Sequence, residues 1–206
     1  FILGWSLSFL FLMRNTSAIH CSAIEYSDTR AALISGVSGA GKSTVALSLI
    51  DAGYRYLADD IIMVQPSADM LVHPGFPLQK VCRNTAEHMN SADLFYIDER
   101  KDKFAYYNSK DFCNEPCKLT TMIVLDKHIG ETVITQELTG LEKLSCVLEN
   151  LFLLDAYKIF GYPPDEKVRC LEIAGKIKIY KLSRPIGKDT VNEIRDTIIK
   201  ILTDNE

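Results

Sequence analysis

The chain has 206 residues, 47% of them hydrophobic, which is enough apolar mass for one domain with a sizeable core. Its 23 Lys and Arg against 27 Asp and Glu leave a net charge of −4, so no overall positive field draws in nucleic acid or an anionic membrane, and neither is expected as a partner. Six cysteines (Cys21, Cys82, Cys113, Cys117, Cys146 and Cys170) lack the density of a secreted disulfide scaffold, which points to reduced thiols and a cytoplasmic setting.

In chain order, FILGWSLSFLFLM is shorter than the about 20 residues that a membrane span needs and carries no signal-peptide cleavage site, so it reads as a buried helix. Residues 1 to 16 are read as the end of a longer N-terminal region, and 1 to 206 as a single catalytic domain. Ser17 to Tyr26 and Arg30 to Ser35 are strand-like and flank the polar trio Ser27-Asp28-Thr29, as in a hairpin. GVSGAGKST follows at 36 to 44, and then VALSLIDAG, an amphipathic helix that Gly53 can end. YRYLADDIIMVQP reads as a strand carrying Asp59 and Asp60 and stopped by Pro66. Pro66, Pro74, Pro77 and Pro116, with several polar clusters, mark residues 66 to 118 as loops with short elements that shape a site. LTTMIVLD at 119 to 126 is a buried strand, Leu138 to Phe160 is helical, Lys178 to Leu182 is a last strand, and Thr190 to Leu202 a closing helix. This alternation predicts an α/β fold with a mostly parallel or mixed sheet, flanking helices, and the ligand at the carboxyl ends of the strands.

Gly36 to Ser43 matches GxxxxGK(S/T). Its glycines let backbone N–H groups turn toward phosphate oxygens, and the following helix adds its positive end. Gly36, Ser38, Gly39, Ala40, Gly41, Lys42, Ser43 and Thr44 are the candidate phosphate-binding residues. Lys42 supplies a mobile charge to the β- and γ-phosphates, and the Ser43 hydroxyl is a hard oxygen ligand for magnesium. Such an enzyme also needs an acid near its metal, and two candidates end predicted strands. Asp126 closes an apolar run in the manner of an ATPase Walker B strand. The Asp59–Asp60 pair follows the helix after the loop, and two adjacent acids are costly to bury unless one binds metal and the other accepts a proton. Cys113 and Cys117 in CNEPC are the close thiol pair, without a second pair at zinc-finger spacing, and read as two loop thiols beside Pro116.

Taken together, IHCSAIEYSDTRAALISGVSGAGKSTVALSLIDAGYRYLADDIIMV resembles the catalytic domain of HPr kinase/phosphorylase: a His-bearing strand, a hairpin, the P-loop, a helix ending in Gly-Tyr, then Leu-x-Asp-Asp. HPGFPLQKVCRN, LTTMIVLD and IYKLSRP extend the likeness, more weakly, toward shortened relatives such as lasso peptide precursor kinases. The resemblance implies a P-loop kinase fold of the HPr kinase / PEP carboxykinase-like type and a use of ATP and Mg2+. It further implies catalytic roles for His20, Lys42, Asp59 and Asp60, with metal held by Ser43, Asp59 and Asp60. The expected activity is transfer of the γ-phosphate to a serine on a peptide or small protein, such as a lasso precursor or an HPr-like protein, by an enzyme able to assemble as a homo-oligomer. Nothing from Gln65 to Pro116 matches the family's Glu-Ile-Arg-Gly-Leu-Gly signature, which puts phosphorylase activity in doubt. Lys80, Arg83, Arg100, Lys101 and Lys103 are candidates for the missing positive charge. Two other readings stay open: an ATPase with Asp126 as its acid, and a nucleotide-sensing module without chemistry.

Overall fold

The computed structural model describes residues 2–27, 29–67, 69–87, 94–98 and 103–205. Helix α1 (Ile2–Leu12) precedes strands β1 (Ser17–Ile19), β2 (Cys21–Tyr26) and β3 (Arg30–Gly36), then α2 (Lys42–Asp51), β4 (Arg55–Ala58) and β5 (Ile62–Gln65). The middle of the chain forms β6 (Leu71–Val72), β7 (Leu78–Cys82), α3 (Arg83–Ala86), β8 (Leu94–Asp98) and β9 (Lys103–Tyr107). The last third comprises β10 (Cys117–His128), β11 (Ile134–Glu137), α4 (Gly140–Glu149), α5 (Leu154–Phe160), α6 (Glu166–Lys176), β12 (Lys178–Pro185) and α7 (Val191–Thr203).

The main sheet has the order β1-β5-β6-β10-β3-β2-β4, with β12 on β10 and β11 on β12. Among the described residues, the parallel strand pairs of this sheet are those of β10 with β3 and with β12, and its other strand pairs are antiparallel. Of the two expected forms the sheet is the mixed one, within an α/β fold, and it is mostly antiparallel rather than mostly parallel. Hairpin turns join β2 to β3 and β5 to β6, and a hairpin needs no crossover helix. Because β2 is antiparallel to both β3 and β4, those two strands run the same way, and their carboxyl ends lie on one edge with β2 between them.

Ala31 to Ile34 are fully buried, as expected of a central strand covered on both faces. On one face Ile24, Ile34, Val45, Leu49, Ile194 and Ile198 join α2 and α7 to the sheet. On the other, Leu33, Met122, Val147, Leu151 and Ile173 bring in α4 and α6. Each such side chain contributes on the order of 1.5–3 kcal/mol by leaving water, so the strand carrying the glycine loop is anchored rigidly.

Several expected elements change form. The strand Ser17 to Tyr26 breaks at His20, where β1 turns away to pair with β5 while β2 pairs with β3. YRYLADDIIMVQP is likewise two strands, bent at Asp59 and Asp60 rather than running through them, with Asp60 at a left-handed φ of 73°. Within residues 66 to 118 the expected short elements include β7, β9 and β8, which join in a second, antiparallel sheet. The stretch Leu138 to Phe160 divides into α4 and α5, since Leu151 bridges to Ile19. The helix at the start is present, but Phe9, Leu10 and Met13 are exposed, so it is not buried as a whole. Asp28 of the expected turn lies outside the described residues. No helix among the described residues is long and apolar enough to cross a membrane.

Candidate active site

Strand β3 delivers the glycine loop to the sheet edge. At Gly36, with φ 133°, a Cβ would stand 2.3 Å from the carbonyl oxygen of Leu125, so the approach of β10 leaves room for glycine alone. Gly41, at φ 104°, precedes α2, and no side chain caps that helix, so its N-terminal N–H groups face outward at the positive end of the dipole. Lys42 folds back over the loop and donates from Nζ to the carbonyl oxygens of Gly36 at 2.8 Å and Val37 at 3.4 Å. Burial holds its pKa below the ordinary lysine value, against the opposing pull of Asp59. Ala40 is buried, and its carbonyl accepts from Arg184 Nε at 3.3 Å. Ser38 and Gly39 are exposed at the tip of the loop, while Thr44 meets Thr85 at 3.3 Å.

The two acids stand beside this loop in different surroundings. Asp59 is half-buried, and its Oδ1 accepts from Ser22 Oγ at 2.6 Å and lies 3.4 Å from Ser43 Oγ; its Oδ2 accepts from the Lys80 N–H at 2.8 Å. Desolvation raises its pKa, and its neutral hydrogen-bond donors only partly offset that. Asp60 pairs with Lys80 Nζ at 2.5 Å. Burial pushes its pKa upward too, but the Lys80 bond and charge, with His20 and Lys103, carry it net below the ordinary carboxylate value. One acid is thus held ionised, while the other is a carboxylate whose bonds come from neutral donors, an arrangement that a cation relieves. Ser43 Oγ and Asp59 Oδ1 fit magnesium: they are hard oxygens near the about 3 Å spacing of adjacent ligands in an octahedron with bonds of about 2.1 Å.

His20 sits at the break between β1 and β2, with Nδ1 2.8 Å from the Asp60 carbonyl oxygen and 3.7 Å from its Oδ1. Burial and then the Lys42 charge lower its pKa, which favours the neutral ring. The structure therefore gathers Lys42, Ser43, Asp59, Asp60 and His20 around one loop. Asp126 is placed differently. It pairs with Lys181 at 2.7 Å, a bond that depresses its pKa, and it makes no hydrogen bond to Ser43. Of the candidate cations, Lys80 bonds both acids, Lys103 adds charge near Asp60, and Arg83 stacks over Phe104 at 5.6 Å; Arg100 and Lys101 lie outside the described residues.

Cys113 and Cys117 come together, with sulfurs 3.8 Å apart, and Glu25 completes a buried trio of metal-ligand types. Both oxygens of Glu25 are taken by Arg55, each at 2.6 Å, so a cation already fills the place a metal would need. Cys113 lies in the loop before β10 and Cys117 is the first residue of that strand, so the expected pair of loop thiols is corrected to one loop thiol and one strand thiol.

Sequence reasoning missed Ser22, Arg184 and Asn150. Asn150 accepts the His20 backbone N–H at 2.9 Å on its carbonyl, meets Ser35 Oγ at 2.6 Å, and donates from its amide to the Cys146 carbonyl at 2.7 Å. It ties the end of α4 to the strand behind the loop and to His20. Ser22 had a signal, being a polar residue at an inward position of an apolar strand; Arg184 and Asn150 are 144 and 115 residues from their partners and had none.

No protein-family model matches the chain, and no curated protein does. Among solved structures, it is similar to the Hpr(Ser) kinase/phosphatase from Coxiella burnetii, with 14% identity, a TM-score of 0.43, and coverage of 91% of this chain and 94% of that one. At that distance the neighbour's activity does not transfer to this chain, whose chemistry rests on its own side chains.

Proposed function

We propose that the chain is an ATP-dependent serine kinase that works with magnesium, a single catalytic domain transferring the γ-phosphoryl group to a serine hydroxyl on a peptide or small protein. The observation that carries this reading is the position of Asp59 Oδ1, 3.4 Å from Ser43 Oγ, with the ionised Asp60 next in the chain. A kinase needs both a metal acid and a proton acceptor, and the doublet supplies the two.

The loop amides and Lys42 bind the β- and γ-phosphates, with Lys42 exchanging its two loop carbonyls for phosphate oxygens. Ser43 and Asp59 would hold magnesium, which would supply neutralisation of the phosphate charge. Lys80 fixes both acids, through its backbone N–H to one and its ammonium to the other. Asp60 takes the proton from the serine hydroxyl as the bond from that oxygen to the γ-phosphorus forms and the bond to the β–γ bridging oxygen breaks. His20, neutral and hydrogen-bonded to the Asp60 backbone carbonyl, holds the bend in the chain that carries that carboxylate. Positioning and charge supply most of the rate.

A thermal-shift titration with ATP-Mg, followed by mass spectrometry of serine peptides for a gain of about 80 Da per phosphoryl group, tests the reading. Transfer that vanishes on replacing both acids by asparagine supports it. Steady phosphate release without an acceptor favours the ATPase reading, stabilisation without consumption the sensing module, and transfer that persists in the double variant refutes the mechanism.

A further inference from the structure

A cavity of about 270 Å³ opens directly on the loop, lined by His20, Val37, Ser38, Phe152, Leu154 and Asp155. It shares Gly36, Val37, Glu149 and Asn150 with a second cavity of about 530 Å³ along α4, so the two form one cleft leading to His20. The floor is apolar, from Val37, Leu138, Leu151 and Phe152, and Leu141 is exposed at the outer end. The walls carry four carboxylates, Asp126, Glu142, Glu149 and Asp155, against one lysine, Lys181, which Asp126 already binds. Among the described residues Glu149 makes no ion pair, and Asp155 meets only Lys158, at 3.8 Å on an exposed helix surface.

This charge decides between the two substrates of the proposed reaction. A polyphosphate in the cleft would face carboxylates without compensating cations, whereas the loop and α2 offer it N–H groups and Lys42. A cationic segment meets attraction along the whole wall, strongest inside a low-dielectric cleft. Resting on the kinase reading for the identity of the reaction, we infer that this cleft is the acceptor site and that it selects a basic, serine-bearing peptide. The peptide's Lys or Arg side chains pair with Glu149 and Asp155, its apolar side chains lie on Val37 and Phe152, and its serine hydroxyl is presented beside His20 and Asp60. Asn150 makes the site responsive, because the residue that lines the cleft also holds the His20 backbone.

The test uses the full chain and fluorescein-labelled serine peptides with either basic or acidic flanks, measured by fluorescence anisotropy in the presence of a non-hydrolysable ATP analogue and magnesium. Expected are at least tenfold tighter binding of the basic peptide, weakening with added salt, and a roughly tenfold loss on the double reversal Glu149→Lys and Asp155→Lys. The same double variant should bind the nucleotide analogue as the parent does. A control reversal of equal charge on exposed positions outside the cleft, Glu172→Lys with Asp204→Lys, should change peptide binding less than twofold, which separates the cleft from net charge. Equal or tighter binding of the acidic peptide overturns the proposal, as does a loss of nucleotide rather than peptide binding in the cleft variant. Tight binding of the basic peptide without any phosphoryl transfer from ATP sustains the cleft assignment while refuting the kinase reading, so the two failures are distinct.

Discussion

The paired strands β2 and β4 carry a carboxylate cluster at each end, and the two clusters have opposite characters. At one end Glu25 and Arg55 are register partners, locked in a two-bond fork beside two buried thiols, with every strong charge answered from within the chain. At the other end Asp59 accepts only from neutral donors, Asp60 adopts a left-handed backbone, and a glycine loop stands open beside them. Ligand-type residues gather at both ends. Proximity alone does not make a site, and neither does a left-handed backbone, which Thr29 also adopts beside Glu25; what distinguishes the second cluster is a charge that the folded chain leaves incompletely compensated.

The comparison is broken most severely at the open end. Lys42→Ala or Asp60→Asn should lower the rate of phosphoryl transfer by about 10²–10⁴-fold. Asparagine tolerates a positive φ, so circular dichroism of the Asp60 variant should match the parent. Asp59→Asn should lower transfer by about 10²-fold or more and abolish magnesium-dependent stabilisation by nucleotide, yet leave urea stability unchanged or raised, since a costly carboxylate is removed. The pH dependence has a definite sign. A carboxyl whose folded pKa is raised binds its proton more tightly in the native state, so metal-free stability should fall as pH rises from the ordinary carboxylate range through the raised value. The Asp59→Asn variant should lack that component.

At the closed end the outcome inverts. Glu25→Gln should cost about 1–3 kcal/mol in urea unfolding, since Glu25 is buried and Arg55 half exposed, while the transfer rate stays at the parent value. A Glu25 variant that lost transfer without losing stability would erase the distinction drawn between the two ends. The smallest effect belongs to Asp126→Asn. Its ion pair with Lys181 is well exposed, and solvent screening holds the expected loss to a few tenths of a kcal/mol at neutral pH, with magnesium-dependent nucleotide binding retained. Because the Asp126 pKa is depressed, that small contribution is present above the ordinary carboxylate pKa and disappears as the pH falls through the folded value. Isothermal titration that showed magnesium dependence lost in Asp126→Asn instead of Asp59→Asn would transfer the metal role to the ATPase acid.

Much of the loop was legible in the sequence because its parts are contiguous. Glycines at positive φ, a lysine and a serine opening a helix are all specified within nine residues, and the apolar run of β3 fixes where that loop must sit. The strand at 119 to 126 was readable as an apolar, largely β-branched run; it and the strand at 178 to 182 both extend further in the fold. The second sheet was not legible. Prolines and polar clusters hide the alternation in Leu78 to Cys82, where Gln79 and Val81 face inward and Leu78, Lys80 and Cys82 outward.

What the sequence determined by itself is the glycine loop between a strand and a helix and the presence of an acid doublet, since both are local patterns with a local physical cause. Only the tertiary structure decided that Asp59 rather than Asp126 lies beside Ser43, that β2 stands between the loop strand and the acid strand, and that Lys80, Arg184 and Asn150 reach the site. Those relations join residues 16 to 144 positions apart, and they follow from which strands pair and in which direction. Strand pairing is a competition among many apolar segments of similar hydrophobicity, and packing over both faces of the sheet settles it.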